Sequence, residues 1–315
     1  MNTDNRPGNL PAPNEVLQAL QEAGWLLEQD TETTLKKYAF HTISSKAYID
    51  PDEPNTSREI DVTGYREFYR HESLGYSIAA RVIVECKQST MPYVLIGRPQ
   101  SNYDSTRVRK EEQYLYNRVQ IGHINLGDGR RQLQVVGVRD YLGINDLDNA
   151  PWNDHFVATQ MTRLDRRKTW QADNRGIFTS LTFPLAKALD HFRRESPTMG
   201  STHVSVPPDV RGMKRADEWG VVCFYFPLVV TSSTLFTLDV TMDDRTPSIA
   251  PWAPMTREIQ TRNIRGRFYI DVVTYDHLDT YIKRRIIDFM QNIVGAAEAD
   301  PLKFATWQDY NYNES

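Results

Sequence analysis

A chain of 315 residues, 40% hydrophobic and 25% charged, has the make-up of a soluble globular protein, long enough for one elaborated domain or two. No run reaches the length of a bilayer span, and the opening MNTDNRPGNLPAP has no basic-then-apolar leader pattern, so the expectation is a cytoplasmic protein with no membrane partner. A formal net charge of -4 excludes a globally basic nucleic-acid binder and leaves only local patches for such contacts.

Residues 1–12 are polar and Pro-rich, the composition of a flexible arm. Asn14, after Pro13, is placed to cap a helix over residues 15–28, in which Val16, Leu17, Leu20, Ala23 and Leu27 form one apolar face. Gly24-Trp25 marks its end, and a first strand is expected over 37–49. After the turn-rich DPDEPNTS come two acidic strands, REIDVTGYREF and IAARVIVECKQSTMPYVLIG. Residues 99–168 read as an insertion that contains a possible strand, QLQVVGV, and closes on the basic RLDRRK. A helix follows over 169–194, with Pro184 set to kink or split it. Residues 218–240 give one strand, or two broken near Ser232-Ser233. Residues 267–275 give another strand and 277–294 a helix. The fold class is therefore α/β. The core is assigned to 13–98 and 169–240, and 241–315 form a strand–helix extension packed on it.

The chemistry concentrates at the ends of the two acidic strands. Glu59 and Asp61 share one face of theirs, and Glu85 and Lys87 share one face of the next, because side chains two apart on a strand point the same way. Pairing as a hairpin would converge three carboxylates on one ammonium. Like charges so close call for a cation between them. Taken alone, E-x-K is a common cross-strand ion pair. Glu59 reads equally as a ligand, a partner of a ligand or a solvated edge residue, and Gln88 points away. Arg163, Arg166, Arg167 and Lys168 are the candidate phosphate contacts, against the plainer reading of a solvated face. His41, His71 and His123 lack zinc spacing, no phosphate-binding glycine loop occurs, and Cys86 and Cys223 read as buried free thiols.

Asp61 followed by Glu85-Cys86-Lys87, in the order helix, three strands, helix, strand, resembles the PD-(D/E)XK nuclease superfamily. The likeness is carried by residues 14–87, and FYIDVVTYDHLDTYI resembles extensions on bacterial proteins of that fold. Ile60 stands where the superfamily name has proline. The resemblance implies a restriction-endonuclease-like mixed sheet flanked by helices. It also implies Mg2+, with Mn2+ able to substitute, held by Asp61 and Glu85, and Lys87 positioning or activating a water. A glutamate of the first helix, Glu15 or else Glu22, would join them. The implied activity is metal-dependent cleavage of phosphodiester bonds, in DNA by the leaning of the superfamily. The alternatives are a non-catalytic binding or assembly module, and a nuclease subunit needing a partner chain or a second copy.

Overall fold

The structure is a computed structural model and describes residues 10–99, 118–125, 131–137, 142–143, 156–195 and 220–305. Most of the expected arm and all of the expected C-terminal tail lie outside these residues.

Gly24 divides what the sequence suggested as one helix. It takes a left-handed conformation (φ 88°) that ends α1 (Pro13–Ala23) and lets α2 (Trp25–Lys37) set off at a new angle. The cap of α1 is Ala12 rather than Asn14. Glu15 Oε2 accepts the Ala12 N–H at 2.7 Å, and Pro13 occupies the first helical position. In α2 the buried Leu27, Thr31, Thr34 and Leu35 recur at helical spacing. That pattern carries the helix to Lys37 and delays the first strand to His41.

Among the described residues eleven strands form one mixed sheet. In chain order they are β1 (His41–Ile49), β2 (Ser57–His71), β3 (Tyr76–Lys87) and β4 (Tyr93–Pro99). A separate hairpin of β5 (Arg118–Asn125) and β6 (Arg131–Gly137) follows. The sheet then resumes with β7 (Phe156–Arg166), β8 (Trp170–Asp173), β9 (Gly220–Thr231), β10 (Leu235–Asp239), β11 (Ser248–Ile249), β12 (Trp252–Gln260) and β13 (Arg265–Thr274). Their order across the sheet is β1-β2-β3-β9-β13-β12-β7-β4-β10-β11, with β8 paired to β7. β1, β2 and β3 are antiparallel neighbours, whereas β3 and β9 run parallel. The long acidic run is thus two strands, β3 and β4, parted at residues 88–92, and residues 218–240 give two strands. β7 lies inside the sheet, as do β12 and β13, so the stretches expected as insertion and extension both contribute to it.

Helices cover both faces. On one side α2 and the C-terminal run α4 (Tyr275–Tyr281), a π segment (Ile282–Ile287) and α5 (Asp288–Ala299) pack on Val82, Val84 and Cys86 of β3 and on Phe224, Phe226 and Leu228 of β9. On the other side α3 (Phe183–Glu195) inserts Leu185, Leu189 and Phe192 against Ile83, Tyr225 and Val229. Alternate residues of one strand feed opposite cores, which is why β3 and β9 read as unbroken apolar runs. The helix expected from residue 169 starts later, because Trp170–Asp173 pair with β7. Its first turn is π-helical (Phe178–Thr182) and abuts Pro184, which has no N–H to continue a regular ladder.

Two features lock this arrangement, one polar and one steric. Buried Asp50 accepts Lys187 Nζ at 2.7 Å and 2.8 Å and also receives Arg58, which ties the loop after β1 to α3. Burial would raise the Asp50 carboxyl, but Lys187 and Arg58 outweigh it and hold it at about 2. The second feature is Gly97, at the register slip between β4 and β7, where an added Cβ would lie 2.2 Å from the Val157 carbonyl oxygen. Gly97→Ala is expected to lower stability by about 1–3 kcal/mol, read as a lower urea midpoint. An unchanged midpoint would contradict the close approach.

A candidate acidic site at the ends of β2 and β3

The site forms where the hairpin of β2 and β3 leaves the regular ladder. Val62 pairs with Val84, so one residue further along Asp61 stands across from Glu85. On the outer side Ser44 pairs with Val62 and Lys46 with Ile60, while Ser45, opposite Asp61, takes a positive φ of 52°. The strand pair changes faces at this point, since Ile60 enters the α3 core and Val62 the α2 core. Asp61 sits at the crossover, where its Oδ2 accepts the Cys86 backbone N–H at 2.6 Å. Glu85 is buried, and its Oε1 receives Lys87 Nζ at 2.9 Å.

From the helical side the acid whose charge acts on Asp61 and Glu85 is Glu28 on α2. Glu15 faces away, spent on the α1 cap and exposed. Glu22 is exposed too and accepts Gln18 Nε2 at 2.9 Å. Glu28 is pushed up to about 7, first by burial and then by the charges of Asp61 and Glu59. One turn along the same helix, Glu32 shows the opposite response. It receives Lys36, Ser44 and Thr42 and falls to about 2. Two acids four residues apart thus differ because one has hydrogen-bond partners, while the other is half-buried beside Asp61 and Glu59 and Lys87 offsets them only in part.

The same imbalance runs through the site. Burial, then Asp61, raises Glu85 to about 7 in spite of Lys87. Asp61 is raised above the usual carboxylate range by burial, against the Cys86 N–H and Lys87. Burial pulls the Lys87 ammonium down, but Glu85 and Asp61 more than restore it, so it remains protonated at neutral pH. Glu59 is exposed and contributes charge to Glu28 and Asp61. Gln88 lies beyond β3, its Cβ within 3.3 Å of where a Cβ on Gly24 would fall. Cys86 is buried, its thiol 3.6 Å from Thr31 Oγ1 and raised by burial, which fits an inert core cysteine. Both cysteines are free, and Cys223 is half-buried.

Among the described residues no three His, Cys, Asp or Glu side chains are gathered as a ready-made metal cage. The donors nonetheless suit magnesium, which takes hard oxygens, commonly from one or two carboxylates with water completing its shell. Asp61 and Glu85 supply two such carboxylates, each with one oxygen engaged by the protein and the other left for a ligand.

The chain matches no protein-family model, no curated protein and no solved structure. Among the described residues no helix is long and apolar enough to cross a membrane.

The basic RLDRRK cluster belongs to the β7–β8 hairpin. Its base lies near the site, since Arg163 pairs with Tyr93, six residues after Lys87, and Tyr93 feels the charges of both Arg163 and Lys87. Arg163 itself is committed, with its Nε 2.8 Å from Asp165 and its Nη2 3.9 Å from Asp173. Arg166 lies 5.3 Å from the ring centre of Trp170, while Arg167 and Lys168 are exposed at the tip. Of the four basic residues read from the sequence, three thus remain available to a phosphate.

Proposed function

We propose that this chain is a metal-dependent phosphodiesterase acting on nucleic acid, DNA before RNA, at Asp61, Glu85 and Lys87, with Glu28 in the place assigned to Glu15. The observation that carries this reading is the meeting of Asp61, which accepts the Cys86 N–H, and buried Glu85, which holds Lys87 at 2.9 Å, at the paired ends of β2 and β3. Asp61, Glu85 and Glu28 all titrate high, with Lys87 the cation that faces them. Binding of a divalent cation by Asp61 and Glu85 would relieve that repulsion. The order of helix α2, antiparallel β1, β2 and β3, helix α3 and then β9 parallel to β3 agrees with a restriction-endonuclease-like core.

Within this reading, magnesium would supply Lewis acidity for the phosphate and its attacking water. Lys87 stays charged and offers a fixed ammonium to the charge that builds on the phosphoryl oxygens. A proton acceptor near neutrality is also present, since a base works best with a pKa close to the working pH and Glu28 sits at about 7. The β7–β8 hairpin supplies Arg166, Arg167 and Lys168 to the strand being cut.

The test is incubation of the purified chain with duplex DNA, single-stranded DNA and RNA in Mg2+, Mn2+ or EDTA. Metal-dependent products are expected, with EDTA abolishing them. Manganese binding without cleavage would favour a subunit that needs a partner chain, and neither binding nor cleavage would leave a non-catalytic module.

A further inference from the structure

Away from the acidic site, the sheet opens where β12 and β7 are joined at the single pair Met255–Ala158. Between these strands lies a cavity of about 520 Å³, with walls that include Arg98, Thr159, Phe178, Arg257, Glu258 and Arg267. Its size is that of a small-ligand site. Thr159 is the residue left over at the register slip between β4 and β7, and such a bulge turns a side chain out of the ladder.

The charge of this cavity selects its ligand. Three guanidiniums line it against one carboxylate, and the Arg267–Glu258 contact is long at 3.9 Å between two well-exposed side chains. Arg257 is the decisive group. Its Nε is buried with no hydrogen-bond partner among the described residues, and burial alone pulls its guanidinium below its ordinary value. A buried donor without an acceptor is costly, and an anion that accepts from Nε of the half-buried Arg257 removes that cost. At the rim Phe178 stacks on Phe183 at 5.2 Å and remains 43% exposed. An aromatic base has a π-face to lay against it.

We propose that this cavity binds the phosphomonoester group of a nucleotide, with Arg257 holding the phosphate, Arg98 and Arg267 adding positive charge to the walls, and Phe178 stacking the base. The phosphate can be that of a free nucleotide or of a nucleic-acid 5′ end. This assignment does not depend on the acidic site, so the test is run in EDTA on the Asp61→Ala protein, where no cleavage can occur. Isothermal titration uses adenosine monophosphate and two oligonucleotides that differ only in a 5′-phosphate or a 5′-hydroxyl.

Binding of the monophosphate assigns a free nucleotide. Binding of the 5′-phosphorylated strand alone assigns a nucleic-acid end. In either case Arg257→Met should weaken affinity about tenfold or more, Arg257→Lys should lose less, and Phe178→Ala should weaken the nucleotide more than inorganic phosphate. The proposal is overturned if none of these ligands binds. It is also overturned if Arg257→Met or Arg257→Lys, folded with an unchanged melting profile, binds as the parent does, or if both oligonucleotides bind equally.

Discussion

Asp61→Ala, Glu85→Ala and Lys87→Ala are each expected to reduce metal-dependent cleavage at least about a hundredfold, the usual scale for removing one group that stabilises transition-state charge. The three losses should have different origins. Asp61→Ala and Glu85→Ala should weaken manganese binding, whereas Lys87→Ala should leave it intact or tighten it, because the lysine competes with the cation for Glu85. Glu28→Gln keeps the shape and removes the proton acceptor, so cleavage should fall while metal affinity changes little. Glu15→Gln should leave cleavage unchanged and cost only part of the α1 cap, about 1 kcal/mol or less. Cleavage that survives all of the first three variants would place the activity elsewhere, and a silent Glu28→Gln beside an inactive Glu15→Gln would reverse the choice of helix residue.

That choice shows what could be read in the residues and what could not. The period of two places Glu85 and Lys87 on one face at the end of β3, but the face change between Ile60 and Val62 that aims Asp61 at the Cys86 N–H breaks that period and is not written in it. Choosing the acid from the helical side requires knowing which turn of which helix packs there. One backbone conformation, at Gly24, ends α1 and starts α2, whose half-buried Glu28 feels the charge of Asp61. The spacing of Leu27, Thr31, Thr34 and Leu35 carries the signal for α2, masked because Leu27 also completes the periodicity of α1. The commitment of Arg163 to Asp165 and Asp173 depends on the pairing of β7 with β8, which a basic run does not disclose. The place of β4 between β7 and β10 rather than next to β3 in the strand order is likewise a matter of long-range pairing. Local propensity carries no information about it.

In EDTA the protein is expected to lose stability as pH rises from about 4.5 to about 7, and Glu85→Gln should flatten that fall. The sign follows from proton counting. Folded Glu85 keeps its proton up to about 7, whereas the unfolded chain releases it near the ordinary value of 4.5. Between these limits the folded state binds more protons, so stability decreases with pH. It is fully present below 4.5 and lost above 7. A rise of that size corresponds to about 3 kcal/mol for buried Glu85, and Glu28 adds less because water screens it. Glutamine at 85 is neutral at every pH and removes the slope. It also strips Lys87 of its nearest anion, so the gain at pH 8 should be smaller, about 1–2 kcal/mol. Magnesium should act in the same direction by binding the deprotonated carboxylates, raising the melting temperature at pH 8 more than at pH 5. Urea unfolding across this range with and without metal measures both effects. A stability that climbs from pH 4.5 to 7 in EDTA, unaltered by Glu85→Gln, would mean that the acids are already neutralised and the case for a cation at Asp61 and Glu85 fails.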